Sequence, residues 1–293
     1  MSPVGKVKIS SLKGTATSKA DYTVSEVLQY NEEVDAQSLQ AALIELPIPE
    51  FRYYTSVGST NDVAATWAAQ GAPDLALVIA DEQTAGRGRA GRRWHTPLGA
   101  ALAFSLVLHP PSDLADSSAH LTALGALAVS EALRQHYQLP AQIKWPNDVL
   151  LNGKKICGVL VEASWRGPRL ESAVLGIGVN VAPMALPPPE ISLTIPATSV
   201  EDQLGRAVER AQLLGQILSS LIAWRPHLGS TQFVQAWKLH LAYLYEQVQI
   251  YQNQAPVCAG QIIGLAPSGA LQIRLADGTV QEVKFGELRL RPV

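Results

Sequence analysis

The stretch DEQTAGRGRAGRRWHTP, residues 81–97, sets three glycines and four arginines between two apolar runs, LALVIA before it and GAALAFSLVL after it. Both runs have the length and composition of buried strands, and a connection this long between such strands is uncommon unless it is functional or disordered. Any fold for this chain must therefore carry a large polar loop between two buried strands. Gly86, Gly88 and Gly91 satisfy the GxGxxG spacing of a dinucleotide site. That fingerprint needs a helix starting within it, whereas RRWHTPLG leads through Pro97 into a second strand, so the dinucleotide reading is set aside. Glycines let backbone amides approach a ligand, and arginines add forked donors matched to carboxylate and phosphate. The Gly-Arg alternation also admits an RNA-binding reading, which a formal net charge of −2 argues against. A loop that closes over a small anionic ligand is favoured.

Around this loop the chain alternates strands and helices. SLQAALIEL (38–46) predicts one short helix after a weakly periodic arm, residues 1–38. FRYYTSV (51–57) predicts a strand, and GSTND leads into a helix, VAATWAAQ, that Gly71 can close. Residues 120–137 have helical spacing, and AQIKW begins a strand ending at Pro146. DVLLNGKKICGVLVEA predicts a hairpin, because Asn152-Gly153 suits a type I′ turn. SAVLGIGVNVA (172–182) is a nearly wholly apolar strand with two glycines, followed by a loop over 183–202. Two helices are predicted at 203–224 and 230–245. From Glu246 short strands and turns predict a small β-barrel, which at 48 residues (246–293) is expected to dock on the larger part. The fold class is thus α+β: a mixed or antiparallel sheet packed with helices over 39–245, and a small barrel over 246–293.

Ser59, Thr60 and Asn61 precede a helix, and one of them suffices as N-cap. The others, with Gln83 at the start of the arginine loop, are available for a neutral polar ligand group. Lys154 and Lys155 begin a strand, where alternation sends one to solvent and the other toward a site. Lys144 is assigned a structural role. Asn147 and Asp148 either form a turn or, through Asp148, steer a magnesium ion. Gly176 and Gly178 weaken a buried strand unless something such as a ligand packs closely there. Cys157 and Cys258 lack paired spacing and are expected to be small buried apolar residues. No apolar run of membrane-spanning length occurs and residues 1–20 lack a signal-peptide core, so a cytoplasmic location is expected.

Taken together, GSTN, EQTAGRGRAGRRW, KWPNDVLLNGKKICGVLVE and GIGVN resemble the biotin protein ligases, also called biotin-[acetyl-CoA-carboxylase] ligases; the match spans about residues 40–182. The barrel agrees with that family's small SH3-like domain. The resemblance implies that biotin's carboxylate attacks the α-phosphate of ATP, with magnesium, and that the biotinyl group then passes to a lysine of a biotin carboxyl carrier protein. It assigns biotin to Ser59, Thr60, Asn61, Gln83, Arg87, Gly88, Arg89, Lys155 and Gly158. ATP falls to Arg92, Trp94 stacked on adenine, Asn180 and Arg291. Lys155, Arg89 and Asp148 are the candidate catalytic residues, with Asp148 also the candidate magnesium ligand. Some members carry a DNA-binding winged helix, for which fifty N-terminal residues with one convincing helix leave little room, so no DNA partner is expected. The arginine loop and adjacent strands are compatible with a homodimer. A lipoate ligase and a non-catalytic nucleic-acid-binding module remain the alternatives.

Overall fold

The computed structural model describes residues 6–8, 36–109, 118–166, 169–188, 191, 193, 195–252, 255–284 and 288–292. Eight strands form the main sheet: β1 (Lys6–Lys8), β2 (Glu50–Val57), β3 (Leu77–Gln83), β4 (Ala101–Leu108), β5 (Gln142–Lys144), β6 (Asp148–Leu151), β7 (Lys154–Arg166) and β8 (Arg169–Asn180). Their order is β1-β2-β3-β4-β8-β7-β6-β5, with β2 and β3 parallel and the other neighbours antiparallel. The helices are α1 (Ala36–Leu43), α2 (Thr60–Ala69), α3 (Ser118–Tyr137), α4 (Val200–Leu204), α5 (Arg210–Trp224) and α6 (Thr231–Leu239). A second, antiparallel sheet contains β9 (Gln247–Gln252), β10 (Ala255–Leu265), β11 (Leu271–Arg274), β12 (Val280–Val283) and β13 (Leu288–Pro292), in the order β12-β11-β10-β9-β13. The fold is α+β, as the pattern of runs implies. Most of the N-terminal arm, residues 1–5 and 9–35, lies outside the described residues, while Lys6–Lys8 pairs with β2.

Side-chain alternation along the central strands decides what lies on each face. Leu77, Ile79, Leu106 and Leu175 join a large core with α3 and α5, whereas Val78, Val107 and Val174, each one residue out of step, pack with Ala64 and Trp67 of α2. The α2 face of β8 continues from Val174 through Gly176 and Gly178 to Asn180. Two glycines there leave the sheet without side-chain cover, and that gap becomes the floor of the site.

The second sheet shares the large core through Val248, Ile250 and Ile262. It is further tied to the first by Trp145 Nε1, which donates to Gly269 O at 3.2 Å, and by His120 Nε2, 2.9 Å from Pro267 O. A buried ion pair fastens α5 to β3: Arg210 Nη1 lies 2.7 Å from Asp81 Oδ1, and the Tyr53 hydroxyl donates to the other carboxylate oxygen.

Two helix boundaries differ from the sequence reading. The helix expected from 203 is interrupted: Gly205, in the left-handed region at φ 73°, ends α4, and Glu209 caps α5 by accepting from the amides of Ala211 and Gln212. The next helix ends at Leu239 rather than 245, because Tyr243 and Tyr245 take positive φ and the Tyr245 amide instead donates to Ile262 O in the second sheet. Cys157 is buried and Cys258 half-buried, and burial pushes both thiols above their usual range, leaving them poor nucleophiles.

Candidate active site

Above the glycine floor, under the arginine loop, lies a cavity of about 620 Å³. The loop is itself ordered. Gly88 N donates to Arg92 O at 2.7 Å and Trp94 N to Gly86 O at 2.9 Å, so residues 86–94 double back as a tight ribbon, turned at Arg89–Gly91. This ribbon hangs over the sheet where Gly158 of β7 faces Gly178 of β8 and Leu160 faces Gly176.

One end of the cavity is a neutral hydrogen-bonding cluster. Ser59, Thr60 and Asn61 are buried at the start of α2 and line the cavity. Ser59 occupies the N-cap but makes no side-chain capping bond; Gln83 instead accepts from the Thr60 amide at 2.9 Å and from its hydroxyl at 3.2 Å. The capping duty has thus passed to Gln83, which leaves the Ser59 hydroxyl facing the cavity. Ser105, wholly buried on β4, lies 2.7 Å from both Thr60 Oγ1 and Asn61 Oδ1 and fixes their rotamers.

Gly176 is what admits this cluster. A Cβ there would stand 2.0 Å from Asn61 Oδ1. Asn61 cannot yield freely, since its oxygen meets Ser105 and its amide donates to Glu162 Oε2 at 2.7 Å. Gly176→Ala is therefore expected to displace Asn61 and weaken binding of the neutral ligand group about tenfold, within the cost of roughly 1–3 kcal/mol that overpacking usually brings. Calorimetric titration of the variant checks this; unchanged affinity would remove Asn61 from the binding wall.

The other end is charged. Lys155 Nζ lies 2.6 Å from Asp148 Oδ1, with the two side chains 23% and 12% exposed. A register shift between Val149 and Leu150 disturbs the ladder here, and a bulge of this kind re-aims side chains. Lys154 consequently faces solvent while Lys155 turns into the cavity. Burial works to raise the Asp148 pKa, but Lys155, Lys144 and Arg92 outweigh it and hold the carboxyl below its ordinary range. Lys144, only 6% exposed, also lines the cavity, and burial pushes its ammonium below the usual lysine range against the pull of Asp148. The structural role assigned to Lys144 from sequence is thus incomplete: with Lys155, Arg89 and Arg92 it makes this end cationic. Arg89 is steadied by Asn147, whose Oδ1 accepts from Arg89 Nη1 at 3.2 Å.

Trp94 takes a place of its own. Its indole lies on the floor, so close that a Cβ at Gly178 would fall 2.3 Å from Trp94 Nε1, and Lys155 Nζ sits 5.4 Å from the ring centroid, within cation–π range. The indole nitrogen is buried and has no hydrogen-bond partner among the described residues. Asn180 closes the end of β8 by donating to Thr198 O at 3.1 Å. The segment after it adds Pro187, Pro188, Ile191, Leu193 and Ile195 to the lining and pairs with the Lys155 backbone through Pro196 O and Thr198 N, giving the cationic end an apolar side suited to a planar ring. Every site residue picked from sequence lines this one cavity except Arg291, which lies on β13 and whose side chain is outside the described residues. Ser105, Glu162 and Asp62 escaped the sequence reading.

A single carboxylate held by a lysine is a weak metal site on its own, and among the described residues no group of three His, Cys, Asp or Glu is placed to hold an ion. Magnesium commonly binds through one or two carboxylates together with substrate phosphates, so Asp148 suits an ion that enters with a nucleotide rather than a resident one. Among the described residues no helix is long and apolar enough to cross a membrane.

A polar cluster and a cationic cluster at opposite ends of a glycine floor suit a ligand that brings a neutral polar head and an anionic tail together with phosphate. Comparison with known proteins points the same way. Residues 53–180 match the Biotin/lipoate A/B protein ligase family. A biotin--[acetyl-CoA-carboxylase] ligase of Paracoccus denitrificans is 37% identical over 246 residues, covering 78% of this chain and 97% of that protein. The bifunctional ligase/repressor BirA of Bacillus subtilis is 39% identical over 166 residues, 57% of this chain; the chain spans only 50% of the length of that relative. Among solved structures, a biotin protein ligase from Aquifex aeolicus in complex with biotin and ATP superposes with a TM-score of 0.68 at 28% identity, covering 83% of this chain and 99% of that one. The chain belongs to the biotin/lipoate A/B protein ligase family.

Proposed function

We propose that this chain is a biotin protein ligase: it joins biotin to ATP and passes the biotinyl group to a lysine of the biotin carboxyl carrier protein of acetyl-CoA carboxylase. The observation that carries the reading is the single cavity with Thr60, Asn61 and Gln83 at one end and Lys155, Arg89 and Arg92 at the other. Biotin's ring system offers neutral N–H and C=O groups to the first cluster, and its carboxylate reaches the second.

In the first step a carboxylate oxygen attacks the α-phosphorus, the bond to the bridging oxygen breaks, and pyrophosphate leaves. Two anions must meet, so the task of the protein is positioning and neutralisation, and no enzyme nucleophile is needed. Lys155 stands where charge builds on the transferring phosphorus, Arg92 meets the departing phosphates, and Asp148 holds Lys155 in place. Magnesium, carried in by ATP, adds charge neutralisation at the phosphates. Adenine fits the apolar wall near Asn180, with Trp94 lifting from the glycine floor to cover it, and Arg291 is assigned to ATP by family resemblance. In the second step the amine of the carrier lysine attacks the carbonyl of the mixed anhydride, a proton is lost, and AMP leaves. Asp148 is suited to orient that amine.

The loop keeps water from the anhydride meanwhile. Arg89→Gly removes the bond to Asn147 and is expected to release biotinyl-AMP faster, by roughly tenfold or more, and to label lysines on bystander proteins. Unchanged adenylate release would contradict the lid role. Biotin is preferred to lipoate because relatives matched over nearly their whole length are biotin ligases. Supplying purified carrier domain, ATP and each acid in turn, and weighing the carrier by mass spectrometry, separates the two. A cytoplasmic location, where ATP and the carrier occur, belongs to the same proposal, as does catalysis without a DNA partner.

A further inference from the structure

The arginine loop is fastened to the protein by an acidic contact that the chemistry above does not use. Arg87 Nη2 lies 2.6 Å from Asp62 Oδ1 in the first turn of α2 and 2.8 Å from Glu162 Oε2 on β7. The same Glu162 oxygen accepts from Asn61 Nδ2 at 2.7 Å. Neither acid lines the cavity, so neither touches the reacting groups. One carboxylate oxygen therefore joins an amide of the ligand-binding wall to the first arginine of the loop.

We infer that Glu162, assisted by Asp62, is a positioning residue that clips the arginine loop over the cavity and ties its closure to the state of Asn61. The inference rests on the adenylation reading for its purpose, but the contact itself does not. Arg87 opens the ribbon that turns at Arg89 and returns through Arg93 to Trp94. Fixing its guanidinium therefore fixes the placement of Arg89, Arg92 and Trp94 as a unit. A ligand group that draws Asn61 toward itself acts on the oxygen that also holds Arg87, which lets occupancy of the polar end reach the lid. Asp62 lies near the N-terminus of its helix, where a negative charge is favoured, so the clip has a second stable anion. Arg87 and Asp62 are 43% and 61% exposed, and pairs this accessible contribute little to folding. The effect is expected in loop closure and not in global stability.

Hydrogen–deuterium exchange of residues 84–94, read by mass spectrometry on the full chain, tests the clip with and without biotin. In the ligand-free protein Glu162→Gln is expected to speed exchange of these amides about five- to tenfold while α3 and the melting temperature stay unchanged, as fits a local opening. In turnover it is expected to raise the KM for biotin and the release rate of biotinyl-AMP by roughly tenfold, with kcat for adenylation within about twofold, a split that a general loss of structure would not give. In loop exchange Arg87→Gln should match it, and the double variant should exchange no faster than either single one. Should Glu162→Gln fail to fold, Asp62→Asn at the exposed helix start is expected to speed loop exchange in the same direction. Loop exchange equal to wild type, or additive effects of the Arg87 and Glu162 changes, would overturn the clip. Loss of loop protection in ligand-free Glu162→Gln from a wild-type protein that binds no biotin would uphold the clip and sink the biotin reading, so the two failures are separable.

Discussion

Lys155→Ala is expected to slow biotin-dependent adenylation by two to three orders of magnitude while the protein still folds and still binds biotin. The size follows from what is removed. Lys155 reaches the cavity from the start of β7 and is held against Asp148 at 2.6 Å, a geometry set before substrate arrives. Loss of one such preorganised donor to a developing anion typically costs about 2.7–4 kcal/mol, or roughly 10²–10³ in rate. The change also strands the Asp148 carboxylate in a buried setting, where Lys144 and Arg92 compensate it only from further off. Lys155→Arg is not expected to rescue the rate. The ammonium is placed as a point charge, 2.6 Å from Asp148 Oδ1 and 5.4 Å from the Trp94 ring centroid, and the longer, planar guanidinium fork does not reproduce that placement. Single-turnover formation of biotinyl-AMP checks both variants. Adenylation within a few-fold of wild type for Lys155→Ala would remove this residue from the chemistry.

The second large effect concerns stability. Arg210→Met is expected to destabilise the protein by about 3–5 kcal/mol, because it leaves a buried carboxylate without its counter-charge. Asp81 is 1% exposed and Arg210 6% exposed, so water cannot take over the lost partner. Tyr53 would still donate to Asp81, but one neutral donor does not replace a guanidinium. The double change Asp81→Asn with Arg210→Met should recover much of the loss, since the uncompensated charge is then gone. Urea denaturation of the wild type and these two variants measures this. A single variant as stable as wild type would mean that Asp81 finds another partner on folding.

What could be read from the sequence was what its local patterns encode. β4 is buried at every position and β8 is buried from Ser172 to Asn180, and these two nearly wholly apolar runs emerge as neighbouring central strands. The hairpin at Asn152-Gly153 has positive φ at both residues, as a type I′ turn demands. Gly176 and Gly178 were suspicious because a buried strand gains nothing from a missing side chain, and the close approach of Asn61 and Trp94 supplies the reason. The failures are equally physical. A glutamate is a poor N-cap signal, so Glu209 did not mark the start of α5, and the end of α6 depends on a bond from Tyr245 to a sheet that forms later in the chain. Within the site, the polar and cationic residues were found by type and spacing, but their supports were not. Glu162 meets Asn61 across 101 positions and Ser105 meets it across 44, separations at which no local pattern exists. Lys144 looked structural because it lies between Ile143 and Trp145, and only the fold reveals that its ammonium borders the cavity.

The most direct test of the account is the exchange of radiolabelled pyrophosphate into ATP, with magnesium, in the presence and absence of biotin. The expected result is exchange that requires biotin and is lost in Lys155→Ala. Folded wild-type protein that gives no exchange with biotin would contradict the adenylation of that acid, and exchange that appears with lipoate instead would reassign the cavity to the other acid of the family.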